Sequence, residues 1–581
     1  MSEFLKALKE KVLIFDGAMG TSIHKYDLTI DDYQGCENCP EILVESRPHV
    51  ISEIHQSFFD VGCDVVETDT FGGSPIVLSE FDLEHRAYEL NKKAAILAKE
   101  VASGYKGRFV SGSIGPTTKL PSLGHIGFAT MKDAYYEQVR GLVDGGVDVL
   151  QFETGQDLLQ AKAAVIAMLD YMKVSGKKVP IIVQVTIEAP PLGTMLVGSD
   201  VSCALTTLVA FPIDIIGINC ATGPAEMIDP IRYLCQNSPK MVSVLPNAGL
   251  PENIDGETVY KLTPDELAAS LDHFARIEGV NIVGGCCGTT PEHLAAVVEK
   301  IGELPPRKRN PQLLPSVSSI YSSTPLTIDN PPLIVGERTN TNGSRKFKKL
   351  LQEEDFDGMV AMGREQEREG AHVLDVCTAY VGRDEVKDMT RLISRLNTEL
   401  TIPIVIDTTE FQVLEESLMC IAGKPIVNSI NLEDGVDQMM RKVEMITRFG
   451  AATVALTIDE SGMAKSAEHK LEVARRIYDL ATGAGLPAHD LIFDALTFTL
   501  STGNDDDRRL GLETLIAIES IKKVLPGVKT VLGVSNISFG FDAKIRQILN
   551  SVFLHYAVEA GLDLAIVNAQ KIMPLFKIEE E

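Results

Sequence analysis

Three cysteines occupy positions from which their thiols could act together. Cys286 and Cys287 are adjacent in the stretch NIVGGCCGTT, residues 281–290, and Cys220 ends the run IDIIGINC. Neighbouring side chains of a regular strand point to opposite faces, so two adjacent thiols can reach one atom only where the strand breaks. The glycines on both sides of the pair permit that break. Because a disulfide between neighbours would be strained, the pair either shares a third partner, such as a metal ion, or has no special role.

The elements that must position these cysteines are strands and helices that alternate along the chain. The first half contains eight β-rich runs, from VLIFDGAMG to NIVGGCCGTT, separated by helical patterns such as PDELAASLDHFARIEG. The second half contains eight more, from LIVGERTN to LDLAIVNA. Parallel strands joined by helices, eight to a set, favour closed barrels over an open doubly wound sheet. We therefore predict an α/β protein made of two tandem (β/α)8 TIM barrels.

A segment rich in Pro and Ser separates the two sets of strands, and this composition is typical of a linker. We predict a first barrel over residues 1–304, a linker over residues 305–330 and a second barrel over residues 331–581.

The composition excludes some classes of partner. The chain has 581 residues, of which 45% are apolar, and a formal charge of −27 at pH 7. Nucleic acids and anionic membranes attract basic surfaces, so neither is expected as a main partner. The sequence has no signal-peptide order at its start and no apolar run long enough to span a bilayer. We therefore expect a cytoplasmic protein whose cysteines stay reduced and available for metal binding or catalysis.

In a barrel of this type the carboxyl ends of the strands face the active site. The cysteines fall on the sixth and eighth strands, which flank only the seventh, so three thiolates can reach one ion. Zinc takes such soft ligands in tetrahedral geometry, and three protein ligands leave a fourth position for a substrate. Cys36 and Cys39, in CENC, lack a second pair to complete such a site. GGCCG has one alternative reading, a phosphate loop built from glycine amides.

Motifs along the whole chain resemble two known families. FDGAMGT, ETDTFGG, GSIGPT, QFET, GINCATGP, PNAG and GGCCGTTPEH resemble the homocysteine S-methyltransferase family. VGERTNTNGSRKFKKL, LDVC, IDTTE, IVNSIN, IFD and GVSNISFGF are similar to the pterin-binding methyltransferase barrels. In this order the halves resemble the N-terminal half of the cobalamin-dependent methionine synthases. The resemblance implies methyl transfer from 5-methyltetrahydrofolate, through a cobalamin carrier, to zinc-activated homocysteine, which yields methionine and tetrahydrofolate.

For the first barrel, the resemblance implies that Cys220, Cys286 and Cys287 hold zinc and that the homocysteine sulfur fills the open position. Three thiolates more than cancel the charge of the ion, so a fourth sulfur stays electron-rich and suits attack on a methyl group. Acidic side chains at strand ends can bind the ammonium group of the substrate, and loop amides can bind its carboxylate. The homocysteine-site candidates are Asp16, Gly17, Ala18, Glu67, Glu153 and Asn247.

For the second barrel, a carboxylate can accept two hydrogen bonds from the donor edge of a pterin, and an asparagine can both donate and accept. By the resemblance, Asp407, Asn428 and Asp494 read this edge, and Asn536 lies near the methyl-bearing nitrogen. The leaving nitrogen needs a proton as its bond to the methyl breaks. With no histidine at a strand end, we expect that proton through Asn536 and an ordered water, and we assign catalytic roles to Asn536 and Asp407. The folate-site candidates are Glu337, Asp375, Asp407, Asn428, Asp494, Asn536 and Ser538.

Nothing in the sequence matches the D-x-H-x-x-G signature of cobalamin-binding modules. The corrin is therefore expected from a cobalamin-binding domain elsewhere or from a separate corrinoid protein. One alternative function is a zinc-thiol methyltransferase fused to a barrel like dihydropteroate synthase or to another corrinoid methyltransferase barrel. The absence of a lysine from GVSNISF argues against the synthase. A non-enzymatic alternative makes the thiols a structural zinc clamp, although such sites are closed by four protein ligands.

Overall fold

The computed structural model of the chain describes residues 1–254, 257–501 and 505–578. The chain divides into two compact units, Met1–Leu313 and Leu314–Glu581. None of the described helices has the length and apolar character that a membrane crossing requires.

Parallel strands form the sheet of the first unit. From the second strand to the eighth each pairs with the next one in sequence, and the eighth also pairs with the first. A parallel bridge between Phe15 and Val65 joins the two ends of the sheet, as a barrel requires. Numbered β1 to β8, the strands are Leu13–Ile14, Val65–Glu67, Phe109–Ile114, Val149–Gly155, Ile181–Val185, Ile215–Asn219, Met241–Leu245 and Ile282–Val283. The predicted barrel is confirmed, and an open doubly wound sheet is excluded.

Helices connect these strands on the outside of the sheet. In the described part of the first unit, the helices after β1 are Met19–Ile23, Leu43–Ser46, Pro48–Asp60, Pro75–Leu78, Ala87–Ser103, Phe128–Gly145, Leu158–Ser175, Val201–Leu208, Ile228–Asn237, Pro264–His273 and Pro291–Ile301.

One further helix, Glu3–Glu10, precedes β1 and closes one end of the barrel. Ser2 caps it by accepting the N–H of Leu5. Its apolar face buries Phe4 and Leu8, each 1% exposed, against residues at the beginning of several strands. Because the helix covers the end where strands begin, the end where they finish stays open for a site.

The second unit contains a closed barrel of eight parallel strands. Numbered β9 to β16, they are Leu333–Asn340, Val373–Cys377, Ile404–Asp407, Ile426–Ile430, Ala452–Leu456, Leu491–Asp494, Lys529–Gly533 and Leu564–Ile566. The described helices of this unit are Arg345–Gln352, Phe356–Arg368, Glu385–Glu399, Phe411–Leu418, Val436–Arg448, Ala467–Gly483, Leu510–Val524 and Ala543–Glu559. The second predicted barrel is therefore also confirmed.

The second compact unit begins inside the segment predicted as a linker. Ser316–Ser318 and Ser323–Pro325 pair as an antiparallel hairpin. Val317 and Leu326 are buried in one cluster with Leu333 and other residues near the strand beginnings of the second barrel. This hairpin closes the second barrel as the N-terminal helix closes the first.

Candidate functional site

Two strand ends bring the three predicted cysteines together. Cys220 follows β6, and Cys286 and Cys287 follow β8; their Sγ atoms all lie within 4.8 Å of one another. The Sγ atoms of Cys220 and Cys287 are 3.8 Å apart. Within the described residues, no other three His, Cys, Asp or Glu side chains converge in this way. We refer to Cys220, Cys286 and Cys287 as the cysteine cluster.

The backbone around the cysteine cluster is held in conformations that ordinary residues avoid. Gly288, directly after Cys287, has a φ of 78°, in the left-handed region. A Cβ at Gly288 would lie 2.3 Å from the ring of Tyr260, so only glycine fits there. Cys220 itself has a φ of 59°, and such strain at a non-glycine residue is typical of functional sites. Glycine thus supplies the break in the strand that two adjacent, converging thiols require.

The cysteine cluster fits a zinc ion. Tetrahedral zinc with Zn–S bonds of about 2.3 Å holds its sulfurs about 3.8 Å apart. The distance of 3.8 Å between Cys220 and Cys287 matches this geometry. Three thiolates are a soft donor set, which zinc accepts, and one tetrahedral position would remain for a ligand from outside the protein.

The thiols of the cysteine cluster perturb one another strongly. Hydrogen bonds from Cys220 and Cys286 lower the pKa of Cys287 to about 3. Hydrogen bonds to both neighbours, together with burial, raise the pKa of Cys286 well above its ordinary value. For Cys220 the contact with Cys286 lowers the pKa, but the contact with Cys287 and burial outweigh it and raise the pKa to about 12. Among the three thiols, Cys287 is therefore the one whose ionised form its neighbours favour.

Glu153 lies on β4, beside the cysteine cluster. Its carboxylate accepts hydrogen bonds from the hydroxyl of Ser113 at 2.5 Å and from the side-chain amide of Asn219 at 3.1 Å. Burial raises the pKa of Glu153 to about 7, and the nearby Cys287 thiolate acts in the same direction. Asn219 also accepts the N–H of Thr154 at 2.7 Å. The carboxylate is therefore fixed in direction, and its charge responds to pH near neutrality.

A cavity of about 540 Å³ adjoins the cysteine cluster. Predicted residues that line it besides the cysteines are Gly17, Ala18, Glu67 and Glu153. Asp16 lies behind this surface, where its carboxylate accepts the backbone N–H of Glu67 at 3.0 Å. Asn247 is buried and does not line the cavity, and its Oδ1 has no hydrogen-bond partner among the described residues. The structure thus brings together all but two of the predicted residues of the first barrel at one cavity wall.

The cavity also contains acidic residues that the sequence analysis does not single out. Asp69 is 4% exposed, and its Oδ2 has no hydrogen-bond partner within the described chain. Burial, and then the nearby Glu41 carboxylate, raise the pKa of Asp69 well above its ordinary value. A signal was present for Asp69, because it stands two residues after Glu67 at the same strand end. Glu41 lies in the long connection between β1 and β2, and no pattern in the sequence predicts its position.

In the second barrel one amide holds two predicted carboxylates. The side-chain Nδ2 of Asn340, at the end of β9, donates to Asp375 and to Asp407, each at 2.7 Å. Burial raises the pKa of Asp375 well above its ordinary value, and the neighbouring Asp407 carboxylate raises it further. Burial also raises the pKa of Asp407, against the hydrogen bond from Asn340. Asn340 is therefore a positioning residue that sequence reasoning missed, although it stands in the quoted motif VGERTNTNGSRKFKKL.

Two further predicted residues lie on β12 and β14, which are separated in the barrel by β13. Asn428 lies on β12, opposite Asp407 on β11, and the register of β12 shifts directly after it. Asp494 ends β14, and its Oδ1 accepts the N–H of Leu496 at 2.8 Å. Burial raises the pKa of Asp494 to about 6.

The remaining predicted residues of the second barrel lie on β9 and in the short helix after β15. Asn536, in the short helix Val534–Ser538, is exposed. Ser538 is buried, and its hydroxyl donates to the carbonyl of Ser535. Glu337 lines a cavity of about 250 Å³, together with Arg546 and others, and burial raises its pKa. The structure therefore groups Asp375 with Asp407, and places Glu337 in a pocket of its own.

Comparisons with known proteins match each unit to a family. Residues 13–301 match the family model for homocysteine S-methyltransferase, and residues 336–568 match that for pterin-binding enzymes. The chain joins a homocysteine S-methyltransferase domain to a pterin-binding domain. It is 45% identical over 588 positions to methionine synthase of Mycobacterium tuberculosis, and 44% identical over 594 positions to that of Mycobacterium leprae. Both alignments cover 100% of this chain and 49% of the relative, so the chain spans about half the length of these curated relatives.

A solved structure also resembles the homocysteine S-methyltransferase domain. The metallated homocysteine methyltransferase MmuM from Escherichia coli is 20% identical and has a TM-score of 0.40, over 51% of this chain and 97% of that one.

Proposed function

We propose that the chain transfers a methyl group from 5-methyltetrahydrofolate to homocysteine, with cobalamin as the carrier between two separate sites. Methionine and tetrahydrofolate are the products. The two family matches and the relatives named methionine synthase support this proposal. The observation that carries it is the cysteine cluster at the wall of an open cavity, because three thiols can hold zinc and still leave a position for a substrate sulfur.

In the first barrel, Cys220, Cys286 and Cys287 would hold the ion. Zinc bound there would remove the proton of the homocysteine thiol at neutral pH and keep its sulfur as a thiolate. Three negative thiolates around the ion also leave that sulfur electron-rich, which favours attack on a methyl group over hydrolysis.

Other residues of this cavity would fix the rest of the substrate. The carboxylates of Glu67 and Glu153 would bind its ammonium group, and backbone N–H groups near Gly17 and Ala18 its carboxylate. An ammonium group beside Glu153 would favour the ionised form of that residue, whose pKa burial has raised to about 7. Asp16 would act through Glu67, since it holds the backbone of that residue. Asn247 would complete the wall behind the cysteine cluster.

In the second barrel, Asp407, Asn428 and Asp494 would receive the donor edge of the pterin. Asn340 would hold Asp407 and Asp375 in place through its two amide hydrogens. Asn536, exposed at the mouth, would place an ordered water for protonation of the nitrogen that loses the methyl. Glu337 and Ser538 would line the neighbouring side of the site.

The corrin would come from a cobalamin-binding domain or a separate corrinoid protein, since no cobalamin signature is present in the sequence. It would visit the two barrels in turn, because each barrel holds its own complete set of candidate residues.

X-ray absorption at the zinc edge tests the step that carries this proposal. We expect the zinc-loaded protein to show three sulfur neighbours and one lighter atom, and to show four sulfurs after homocysteine is added. A zinc environment that homocysteine does not change would contradict the proposal and would point to a structural metal. A protein that binds no zinc at all would contradict it as well.

A further inference from the structure

A lysine without a partner carboxylate is buried beside the proposed pterin site. Lys470, in the helix Ala467–Gly483, is 0% exposed. Among the described residues, no carboxylate oxygen lies within ion-pair distance of its Nζ. Lys424 in the same unit is also buried, but it forms an ion pair, since its Nζ lies 2.6 Å from the carboxylate of Asp490. Burying an ammonium without such a partner costs free energy, so the arrangement at Lys470 calls for a reason.

The ammonium of Lys470 binds the turn that follows β14. Its Nζ donates to the carbonyl of Ala495 and, at 3.0 Å, to that of Leu496, and it lies 4.9 Å from the centre of the Phe498 ring. Leu496 has a φ of 57°, a left-handed conformation that a leucine adopts only when its surroundings enforce it. We call residues 494–498 the Asp494 turn. The lysine is therefore the charged centre around which this turn is wrapped.

The same turn directs the carboxylate of Asp494. The N–H of Leu496, whose carbonyl Lys470 binds, donates to Asp494 Oδ1 at 2.8 Å. Asp494 thus keeps its other oxygen for a ligand at the barrel mouth. The positive charge of Lys470 opposes the effect of burial, which raises the pKa of Asp494 to about 6. Burial in turn lowers the pKa of Lys470 to about 8, against the attraction of Asp494 and Glu513.

We infer that Lys470 is a positioning residue for pterin binding: its ammonium fixes the Asp494 turn and places a positive charge near the Asp494 carboxylate that receives the N–H edge of the pterin. The inference rests on the proposed role of Asp494 as a reader of that edge. Glu513 is the other carboxylate whose charge acts on Lys470, but it has partners of its own. It accepts the N–H of Ala467 at 2.8 Å and lies 3.9 Å from Arg509.

Binding of 5-methyltetrahydrofolate to the full chain tests the inference, measured by titration calorimetry between about pH 5.5 and about pH 8.5. Lys470→Gln keeps hydrogen-bond donors for the two carbonyls but removes the charge, and Lys470→Met removes both. For each variant we expect a Kd about tenfold above that of the unchanged protein at the acid end, with the ratio falling as the pH rises and Asp494 ionises. Lys470→Arg keeps the charge and should show a ratio that is nearly independent of pH.

Two controls separate this inference from its alternatives. Lys522→Gln removes a lysine that pairs with Asp563 at 2.8 Å, near the start of β16, and should leave the Kd and its pH dependence unchanged. Asp494→Asn should weaken binding at every pH; if it binds normally, the proposed pterin role of Asp494 is wrong. If Asp494→Asn loses affinity while the Lys470→Gln and Lys470→Met ratios are flat across the pH range, Lys470 is only structural and the inference is overturned. If Lys470→Met does not fold, the Gln and Arg variants still decide.

Discussion

At the scale of single residues, the cysteine cluster is a set of three thiols that can act together as ligands of one cation. Its neighbours lower the pKa of Cys287, while the pKa values of Cys220 and Cys286 are raised. Removing any one thiol takes away a third of the donor set. An ion held by the two remaining thiols would be bound far more weakly.

We therefore expect Cys220→Ala, Cys286→Ala and Cys287→Ala each to lose bound zinc and methyl transfer to homocysteine, while folate binding stays within about twofold of the unchanged protein. Metal analysis of the purified variants checks this. Cys36→Ser combined with Cys39→Ser is the matched control and should change the zinc content little. Full zinc occupancy in all three cluster variants would show that the ion lies elsewhere.

A second prediction concerns Asp375 and the pH dependence of stability. Its pKa in the folded protein is raised by burial and by Asp407, so above about pH 4 the folded state binds more protons than the unfolded chain. This contribution to stability is complete below the unfolded pKa and is lost as the pH rises through the folded pKa. Asp375→Asn removes the charge, and Oδ1 of the new amide can still accept from Asn340.

We expect Asp375→Asn to stabilise the second barrel relative to the unchanged protein, by roughly 1–3 kcal/mol at pH values where the carboxylate would ionise, and by less near pH 4. Calorimetric unfolding at several pH values measures the difference. A difference that stays constant, or that grows toward acid pH, would show that Asp375 is not held in its neutral form.

Residue types explain how much of the site the sequence could predict. The cysteine cluster could be predicted because adjacent thiols have few uses and lie at strand ends, where a barrel places its chemistry. Asn340 and Asn219 could not, because their roles depend on which side chains a neighbouring strand places opposite them. Asp16 and Asn247 stand at strand ends like the others, but their side chains lie behind the cavity wall. Strand periodicity alone does not separate these two cases.

At the scale of elements, the turn after β8 determines whether the cysteine cluster can form. Gly288 has a φ of 78°, and the ring of Tyr260 occupies the space that a Cβ would need. A side chain there must shift either the ring or the turn, and the turn carries two of the three thiols.

Gly288→Ala should therefore lose most of its zinc although all three cysteines remain, which metal analysis and homocysteine binding can measure. Gly127→Ala is the matched control. Gly127 has a φ of −73°, and a Cβ there would meet nothing within 4 Å. Retention of full zinc by Gly288→Ala would mean that the strained turn is not required for the cluster.

The second prediction at this scale concerns the helix that closes the first barrel. Leu8, 1% exposed, fills the closed end of the first barrel from the helix Glu3–Glu10. Leu8→Ala should lower the free energy of unfolding of the first barrel by about 2–5 kcal/mol. Scanning calorimetry checks this, with Ile277→Ala, at a side chain 55% exposed, as the control that should change little. Equal stability of Leu8→Ala and the unchanged protein would show that the helix does not contribute to the barrel.

The strands could be predicted because each is a short apolar run bounded by helical patterns, a signal that repeats eight times in each half. The caps could not. The hairpin formed by Ser316–Ser318 and Ser323–Pro325 lies in a segment whose Pro and Ser content is typical of a linker, yet Val317 is buried under the second barrel. The buried apolar residues of this segment, Val317 and Leu326 among them, form no periodic pattern, so their positions follow only from tertiary packing.

At the scale of the whole molecule, the two domains hold separate candidate sites. The cysteine cluster and its cavity consist of residues from the first unit, and Asp375, Asp407 and Asp494 all belong to the second. The account therefore predicts that each site works without the other, and that only the carrier connects them.

The two half-reactions, measured with free cobalamin on Asp407→Ala and on Cys286→Ala, test this claim most directly. Asp407→Ala should lose methyl transfer from 5-methyltetrahydrofolate to cob(I)alamin, with folate affinity reduced about tenfold to a hundredfold, and should keep transfer from methylcobalamin to homocysteine. Cys286→Ala should show the reverse pattern. If a folded Asp407→Ala protein loses both half-reactions in parallel, the two barrels share one active site and the account is wrong.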